Sequence, residues 1–158
     1  HYETKIPISD ELIERIKGAS NFDMGYQTVE YTSSALVDLY FHLSETDQDI
    51  MNFQTEILNK IEMPDAIAMR HGTPHFAHVF SGGYYAAAYY SYMWSEVMDA
   101  DVFSAFEEAG NPFDAKLANS LEKNILAQGN SIDPELAYVK FRGKLPKVDA
   151  LLKGRGLV

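Results

Sequence analysis

Apolar residues recur at helical spacing along most of the chain. In QDIMNFQTEILNKIE, the apolar positions Ile50, Phe53, Ile57 and Ile61 are three or four residues apart and fall on one side of a helix. The longer segment FDMGYQTVEYTSSALVDLYFHLS shows the same spacing, weakened by Thr and Ser, which are poorer helix formers. No segment alternates between apolar and polar residues as a half-buried strand would, and no internal repeat occurs. The pattern therefore predicts an all-α fold that forms a single helical segment over residues 1–158.

Capping residues and helix breakers indicate where the predicted helices begin and end. The predicted caps are Ser9, either Thr46 or Asp47, Asp114, and Asp133 with Pro134 after it. The stretch from Pro64 to Gly83 is predicted to be an ordered loop with one helical turn. A helix is then expected to begin near Tyr84 and to run past Trp94 until Gly110. A short helix in KVDALLKGRG is expected to be the last element.

Composition narrows the classes of partner. With 13 Lys and Arg against 23 Asp and Glu, the chain carries a net charge of -10, and a surface this negative repels phosphate groups. We therefore expect no nucleic acid and no membrane as partner, and no apolar run approaches the roughly 20 residues of a membrane span. The chain has no cysteine and no recognisable signal peptide, which favours a cytoplasmic location. Because it begins at His1, we expect a processed product, an expression product or a fragment.

Three of the five histidines lie close together in the sequence, between residues 71 and 78. His71 and His75 are four residues apart, the spacing at which an H-E-x-x-H helix presents two zinc ligands. Here the stretch reads H-G-T-P-H, so Gly72 replaces the glutamate and Pro74 interrupts the helix. We therefore predict no metal site in this chain. His42, isolated at the end of an apolar helix, is interpreted as a partly buried structural histidine.

Five of the ten tyrosines follow within a few residues of Gly82 and Gly83. If a helix starts directly after Gly83, then Tyr85, Tyr89 and Tyr92 fall on one face at positions i, i+4 and i+7. Two interpretations stay open: a packed aromatic core, and a row of phenol donors that binds an extended peptide and a developing oxyanion. The acidic residues of the next segment show no spacing that would indicate a functional pair of carboxylates, and they are interpreted as solvated surface. They are Asp99, Asp101, Glu107 and Glu108.

The same residues carry a resemblance to a known family. The segment RHGTPHFAHVFSGGYYAAAYYSYMWSEVMDADVFSAFEEAGNPFD closely resembles the C-terminal part of the thimet oligopeptidase family, and within it the bacterial peptidyl-dipeptidases (dipeptidyl carboxypeptidases). The likeness continues through NILAQGNSIDPELAYVKFRG to LLKGRGL and reaches back to HYETKIPISDELIERI, so it covers essentially the whole chain. Its most specific part is H-x-F-x-G-G-Y followed by Y-Y-x-Y-x-W. The resemblance implies the C-terminal portion of a large, mostly helical zinc peptidase with a deep channel between two halves.

Roles for individual residues are also implied by the resemblance. His78 and Tyr92 correspond to catalytic positions: His78 binds the substrate, and Tyr92 hydrogen-bonds the tetrahedral intermediate. Tyr89 corresponds to a substrate-contacting phenol. The family's tyrosine after the two glycines matches either Tyr84 or Tyr85, and Tyr85 is favoured if it shares a helical face with the other two. Gly82 and Gly83 would let the loop close over a bound peptide, and His75, like His71, would lie near the cleft.

The zinc ligands of the family, H-E-x-x-H and a later glutamate, lie upstream of the matched region, so this chain is expected to bind no zinc and to be inactive alone. The expected function is that of the substrate-binding and oxyanion-stabilising segment of a zinc-dependent peptidyl-dipeptidase or oligopeptidase. Its expected partners are short peptides and the upstream zinc-bearing part, with self-association through the surface that this part would cover. A non-catalytic helical peptide-binding or partner-binding protein (a truncated paralogue) is the alternative, and a purely structural protein is a third possibility.

Overall fold

The computed structural model of the protein describes residues 1–45, 47 and 49–158. Within these residues the regular structure is helical and contains no strand, which confirms the predicted all-α fold. The α-helices are α1 (Asp10–Ser20), α2 (Met24–Leu43), α3 (Ile50–Lys60), α4 (Ala77–Phe80), α5 (Ser91–Glu108), α6 (Ala115–Leu121), α7 (Pro134–Arg142) and α8 (Asp149–Gly154). A 3-10 turn covers Thr73–His75, and a π-helical stretch, Glu122–Leu126, follows α6 directly. Within the described residues, no helix is long and apolar enough to cross a membrane.

Most predicted caps are confirmed. Ser9 accepts a hydrogen bond from the amide of Leu12, and Asp114 and Asp133 cap α6 and α7 in the same way, with Pro134 at the first helical position. The cap of α3 is Asp49, whose carboxylate accepts the amide of Asn52 at 2.8 Å, so the prediction of Asp47 is wrong. The alternative, Thr46, lies outside the described residues.

The chain divides into two compact units, His1–Ser91 with Arg155–Leu157, and Tyr92–Gly154 with Val158. In the first unit, α2 packs on α3 through the rings of Phe41 and Phe53, whose centroids are 4.4 Å apart. The Gln54 side-chain oxygen on α3 accepts both the amide (2.9 Å) and the hydroxyl (2.7 Å) of Thr73. On α2, the Ser34 hydroxyl accepts the amide of His71 at 3.2 Å. These bonds hold the loop between α3 and α4 against both helices.

One predicted helix begins later than the sequence indicates. Residues 81–90 form turns, and α5 begins at Ser91, so the helix predicted to start near Tyr84 is wrong over its first two turns. The amide of Ala87 donates to the carboxylate of Asp38 at 3.1 Å instead of to a carbonyl one helical turn earlier. Ala87 also has a φ of 57°, in the left-handed region, which a right-handed helix cannot contain. A tertiary hydrogen bond therefore overrides local helix propensity.

In the second unit, a buried ionic network joins α5 to α7. Asp101, 5% exposed, accepts the Tyr138 hydroxyl at 2.7 Å and the Arg142 guanidinium at 3.2 Å. Arg142 also donates to Ser104 at 2.9 Å and to Glu108 at 2.8 Å. Burial, followed by the bond to Asp101, raises the pKa of Tyr138, which keeps this phenol a protonated donor. The interpretation of Asp101 as solvated surface is wrong, because α7 brings Arg142 to this buried carboxylate, whereas Glu108 is exposed, as that interpretation has it.

Arg155–Leu157 belong to the first unit, where Arg155 donates to the Thr28 hydroxyl at 2.7 Å. Gly156 has a φ of 64°, and a Cβ built there would lie 2.6 Å from the Asn21 side-chain nitrogen. We expect Gly156→Ala to lower the free energy of unfolding by about 1–2 kcal/mol, because an L residue is strained at positive φ. Urea denaturation would measure the loss. Gly154→Ala is the matched control, since a Cβ there meets nothing within 4 Å and its φ is ordinary. Equal stability of the two variants would contradict the prediction.

Candidate functional site

Four predicted site residues line one open pocket of the first unit. The pocket has a volume of about 420 Å³, and its lining is Ala77, His78, Ser81, Gly82, Tyr84 and Tyr85. Ala77 and His78 come from α4, and the other lining residues belong to the turns that follow it. Gly82 has a φ of 133°, a conformation that glycine adopts without strain and that turns the chain back across α4. The structure therefore brings the histidine, one glycine and two adjacent tyrosines together.

Aromatic contacts organise the side chains of this pocket. The rings of His78 and Tyr85 are stacked, with centroids 4.7 Å apart and an interplanar angle of 17°. Tyr84 meets Tyr85 edge to face at 5.3 Å. Tyr85 is half-exposed and Tyr84 almost fully exposed, so both rings are accessible from the pocket side. Phe76, directly before α4, and Val79, on α4, are buried and anchor the short helix that carries His78.

Tyr89 lies in the core and not on the pocket wall. It is 7% exposed, and its ring stacks on Tyr31 at 4.9 Å and meets His71, Phe76 and His78 edge to face. Tyr89 forms the hydrophobic cluster of the first unit with the buried Ala35, Phe76 and Val79, and Tyr31 packs against it. For Tyr89 the packed aromatic core is therefore the better interpretation, and its contact with a substrate stays a prediction.

The proposed helical face of three tyrosines is wrong, because only Tyr92 lies on α5. Tyr92 occupies the first turn of that helix, in the second unit, and is 49% exposed. Tyr85 and Tyr89 lie in the turns before it, and they differ in exposure and in partners. The helical argument for choosing Tyr85 over Tyr84 is thereby removed. The stacking of Tyr85 on His78 now distinguishes the two.

The remaining predicted residues lie outside the pocket lining. His75 is exposed at the end of the 3-10 turn, and Gly83 is exposed next to Gly82. His71 packs flat against Phe76, with ring centroids 4.7 Å apart. Burial, followed by the positive charges of Arg70 and His78, lowers the pKa of His71, which favours the neutral ring in this position.

These histidines do not form a metal site. H-G-T-P-H adopts a 3-10 turn instead of the continuous helix that would align His71 with His75. Among residues 1–45, 47 and 49–158, no group of three or more His, Asp or Glu side chains could hold a metal ion. The residues present therefore do not fit a zinc ion, and we assign no chemistry in this chain to one.

Two residues that shape the site are absent from the sequence predictions. The Asp38 carboxylate, fully buried on α2, accepts the amides of Ala87 and Tyr89, and the Tyr31 hydroxyl donates to the carbonyl of Tyr89. The sequence holds a signal for Asp38: it is a carboxylate on the apolar side of a helix, with His42 at i+4. The His42 side chain is 25% exposed and its Nδ1 lies 2.9 Å from Asp38 Oδ1, which confirms a partly buried structural histidine.

Residues 1–157 match the sequence profile of Peptidase family M3, and the chain belongs to that family.

Its relatives are named peptidases. The chain is 36% identical over 162 residues to dipeptidyl carboxypeptidase of Escherichia coli (strain K12) and 32% identical over 163 residues to oligopeptidase A of Haemophilus influenzae. It is also 33% identical over 165 residues to the organellar oligopeptidase A of Arabidopsis thaliana. These alignments cover 99–100% of this chain but only 21–23% of the relatives. The chain thus spans less than a quarter of the length of the proteins it matches.

Proposed function

We propose that this chain is the substrate-binding and oxyanion-stabilising segment of a zinc-dependent peptidyl-dipeptidase or oligopeptidase that hydrolyses short peptides. The observation that carries the proposal is the pocket that joins His78, Gly82, Tyr84 and Tyr85. Membership of Peptidase family M3 and the names of the relatives support a peptide as the ligand of this pocket. The limited share of the relatives that the chain spans supports a second, upstream part that completes the enzyme.

The pocket residues suit a peptide backbone. Each phenol and a protonated imidazole nitrogen donates hydrogen bonds, and the carbonyl groups of an extended peptide accept them. The stacked rings of His78 and Tyr85 hold each other in one orientation, so fewer side-chain conformations are lost when a peptide binds. Gly82 contributes no side chain, which lets a peptide backbone approach the turn closely. We assign backbone binding to Tyr84 and Tyr85, orientation of the substrate to His78, and stabilisation of the oxyanion to Tyr92.

Zinc belongs to the upstream part in this proposal. The ion would activate the water that attacks the peptide bond, and its ligands would come from an H-E-x-x-H segment that this chain lacks. The residues of this chain would bind the substrate and donate hydrogen bonds to it.

The proposal predicts activity that depends on reconstitution. The complete enzyme here means this chain together with the upstream H-E-x-x-H segment. The two parts are supplied either in one polypeptide or as two polypeptides that are mixed. Dipeptide release from an internally quenched peptide is expected for the complete enzyme and not for the chain alone, because the chain carries no zinc ligands. Bound zinc would be measured in the same samples, with a chelated sample as control.

The alternative gives a different result in the same experiment. A non-catalytic binding protein would bind the quenched peptide without hydrolysing it, whether or not the upstream segment is present. Fluorescence anisotropy of a labelled peptide measures that binding independently of cleavage. Cleavage by the zinc-free chain alone, or neither binding nor cleavage in any sample, would contradict the proposed function.

A further inference from the structure

Helix α2 holds the tyrosine-bearing turns through one buried carboxylate. Asp38 is fully buried, and its two oxygens accept different amides of those turns: Oδ1 that of Ala87 at 3.1 Å and Oδ2 that of Tyr89 at 3.0 Å. These are charge-assisted bonds in a site shielded from water, so each is stronger than a bond between two neutral groups. The two amides come from residues 49 and 51 positions along the chain from Asp38. The contact is tertiary and local sequence cannot replace it.

The same face of α2 holds the turns at a further point. Tyr31, two helical turns before Asp38, donates its hydroxyl to the carbonyl of Tyr89 and stacks its ring on that of Tyr89 at 4.9 Å. Both the amide and the carbonyl of Tyr89 are thus bound by α2. His42, one turn after Asp38, places Nδ1 at 2.9 Å from both the carboxylate and the backbone carbonyl of Asp38. The amide of Ala87 also lies 3.3 Å from this Nδ1, so His42 belongs to the same hydrogen-bond network as Asp38 and the turns.

The backbone conformation of these turns depends on this support. Ala87 has a φ of 57°, in the left-handed region, where an L residue is strained. The turns themselves supply few backbone hydrogen bonds, with the amide of Ala88 reaching Tyr85 at 3.1 Å and that of Ser91 reaching Ala88 at 3.1 Å. A strained residue persists where the surrounding structure determines its conformation. Here the hydrogen bond to Asp38 holds Ala87 in its strained conformation.

We infer that Asp38 is a positioning residue for the peptide-hydrolysing site, acting through the turns that carry Tyr85 and Tyr89. Tyr85 lies two residues before Ala87, whose amide Asp38 binds, and its ring stacks on His78. Tyr89, whose amide Asp38 also binds, contacts the same imidazole edge to face, with ring centroids 5.9 Å apart. Loss of the carboxylate would therefore move Tyr85 and His78 together. This inference rests on the function proposed above, since it requires the pocket to bind the substrate.

Two variants test the inference, with one matched control. Asp38→Asn keeps the shape of the side chain but turns an amide donor toward one of the two N–H groups. Tyr31→Phe removes the hydroxyl that bonds Tyr89 and keeps the ring. Asp101→Asn makes the same change at another buried carboxylate, which bonds Tyr138 and Arg142. In the 158-residue chain, Asp38→Asn should speed amide hydrogen exchange of residues 84–91, whereas Asp101→Asn should leave that segment unchanged.

Activity supplies the second measurement. In the complete enzyme, Asp38→Asn is expected to lower kcat/KM by about 10-fold to 10²-fold, because a misplacement of about 1 Å is enough for such a loss. Tyr31→Phe should lower it less, and Asp101→Asn should leave it unchanged at temperatures where all variants are folded. If Asp38→Asn does not fold, Tyr31→Phe carries both measurements, with faster exchange and lower kcat/KM again expected.

The possible outcomes separate the two ideas. Unchanged amide exchange of residues 84–91 in both Asp38→Asn and Tyr31→Phe would show that α2 does not hold these turns, and would overturn the inference. A loss of activity in Asp101→Asn equal to that in Asp38→Asn would also overturn it. Faster exchange with full activity, while Tyr92→Phe and His78→Ala both reduce activity, would overturn the positioning role but leave the proposed function intact. Full activity of every variant, Tyr92→Phe and His78→Ala included, would overturn the proposed function and the positioning role with it.

Discussion

Tyr92→Phe is expected to lower kcat of the complete enzyme by about 10²–10³-fold and to change KM little. The substitution removes one hydroxyl and keeps the ring, so the packing of α5 is preserved. A donor that binds the oxyanion acts in the transition state and not in the ground state, and its loss therefore appears in kcat. Steady-state hydrolysis of a quenched peptide by the complete enzyme measures both constants.

The structure offers physical support for this role. Tyr92 lies in the first turn of an 18-residue helix and is about half-exposed. The aligned peptide dipoles of a helix create a positive potential at its N-terminus, and the first turn of α5 contains no acidic residue to offset it. A developing negative charge beside this turn would be stabilised by the helix as well as by the phenol.

Tyr90→Phe is the matched control for this experiment. Tyr90 is a half-exposed phenol two residues earlier and does not line the pocket. It should retain full kcat, whereas a loss equal to that of Tyr92→Phe would indicate a general effect of removing a surface hydroxyl. Unchanged kcat in Tyr92→Phe would remove the proposed role of Tyr92 and leave peptide binding as the only supported task of the chain.

The sequence predicts elements whose causes are local. α1, α6 and α7 begin where Ser9, Asp114 and Asp133 can cap them, because the acceptor is only two or three residues from the amide it binds. Local chemistry is sufficient in these cases. His78, which lines the pocket, is indicated by the family resemblance and not by local chemistry.

The turns between Gly83 and Ser91 have a distant cause. Their composition favours a helix, but Asp38 takes the amides of Ala87 and Tyr89, and these partners are about 50 residues apart in the chain. Asp101 is similar: alone it looks like a surface acid, but it pairs with Arg142 in the interior, while Glu108 stays exposed. The pattern that could have indicated both Asp38 and Asp101 is a carboxylate on the apolar face of a helix, which needs a histidine or an arginine as its partner.

The stability of the second unit gives the second large effect. Arg142→Met is expected to lower the free energy of unfolding by about 3–5 kcal/mol, the cost of leaving a buried charge without its partner. The side chains of Arg142 and Asp101 are each 7% exposed, so water cannot replace the lost guanidinium. Met fills much of the volume of the arginine stem, which limits the contribution of a cavity to the result. Urea denaturation followed by circular dichroism measures the change.

Two further variants separate charge from packing. Glu108 is 58% exposed, so Glu108→Gln should cost far less than Arg142→Met. Because the bond to Arg142 lowers the pKa of Glu108 from its ordinary 4.5, the stability that depends on this charge is present above that pH and lost as the pH falls further. The double variant Asp101→Asn with Arg142→Met should be more stable than the sum of the single losses implies, because a neutral asparagine needs no counter-charge. Strict additivity would show that Arg142 contributes through packing alone, and the network would then stabilise the α5–α7 contact without the electrostatic coupling argued for it.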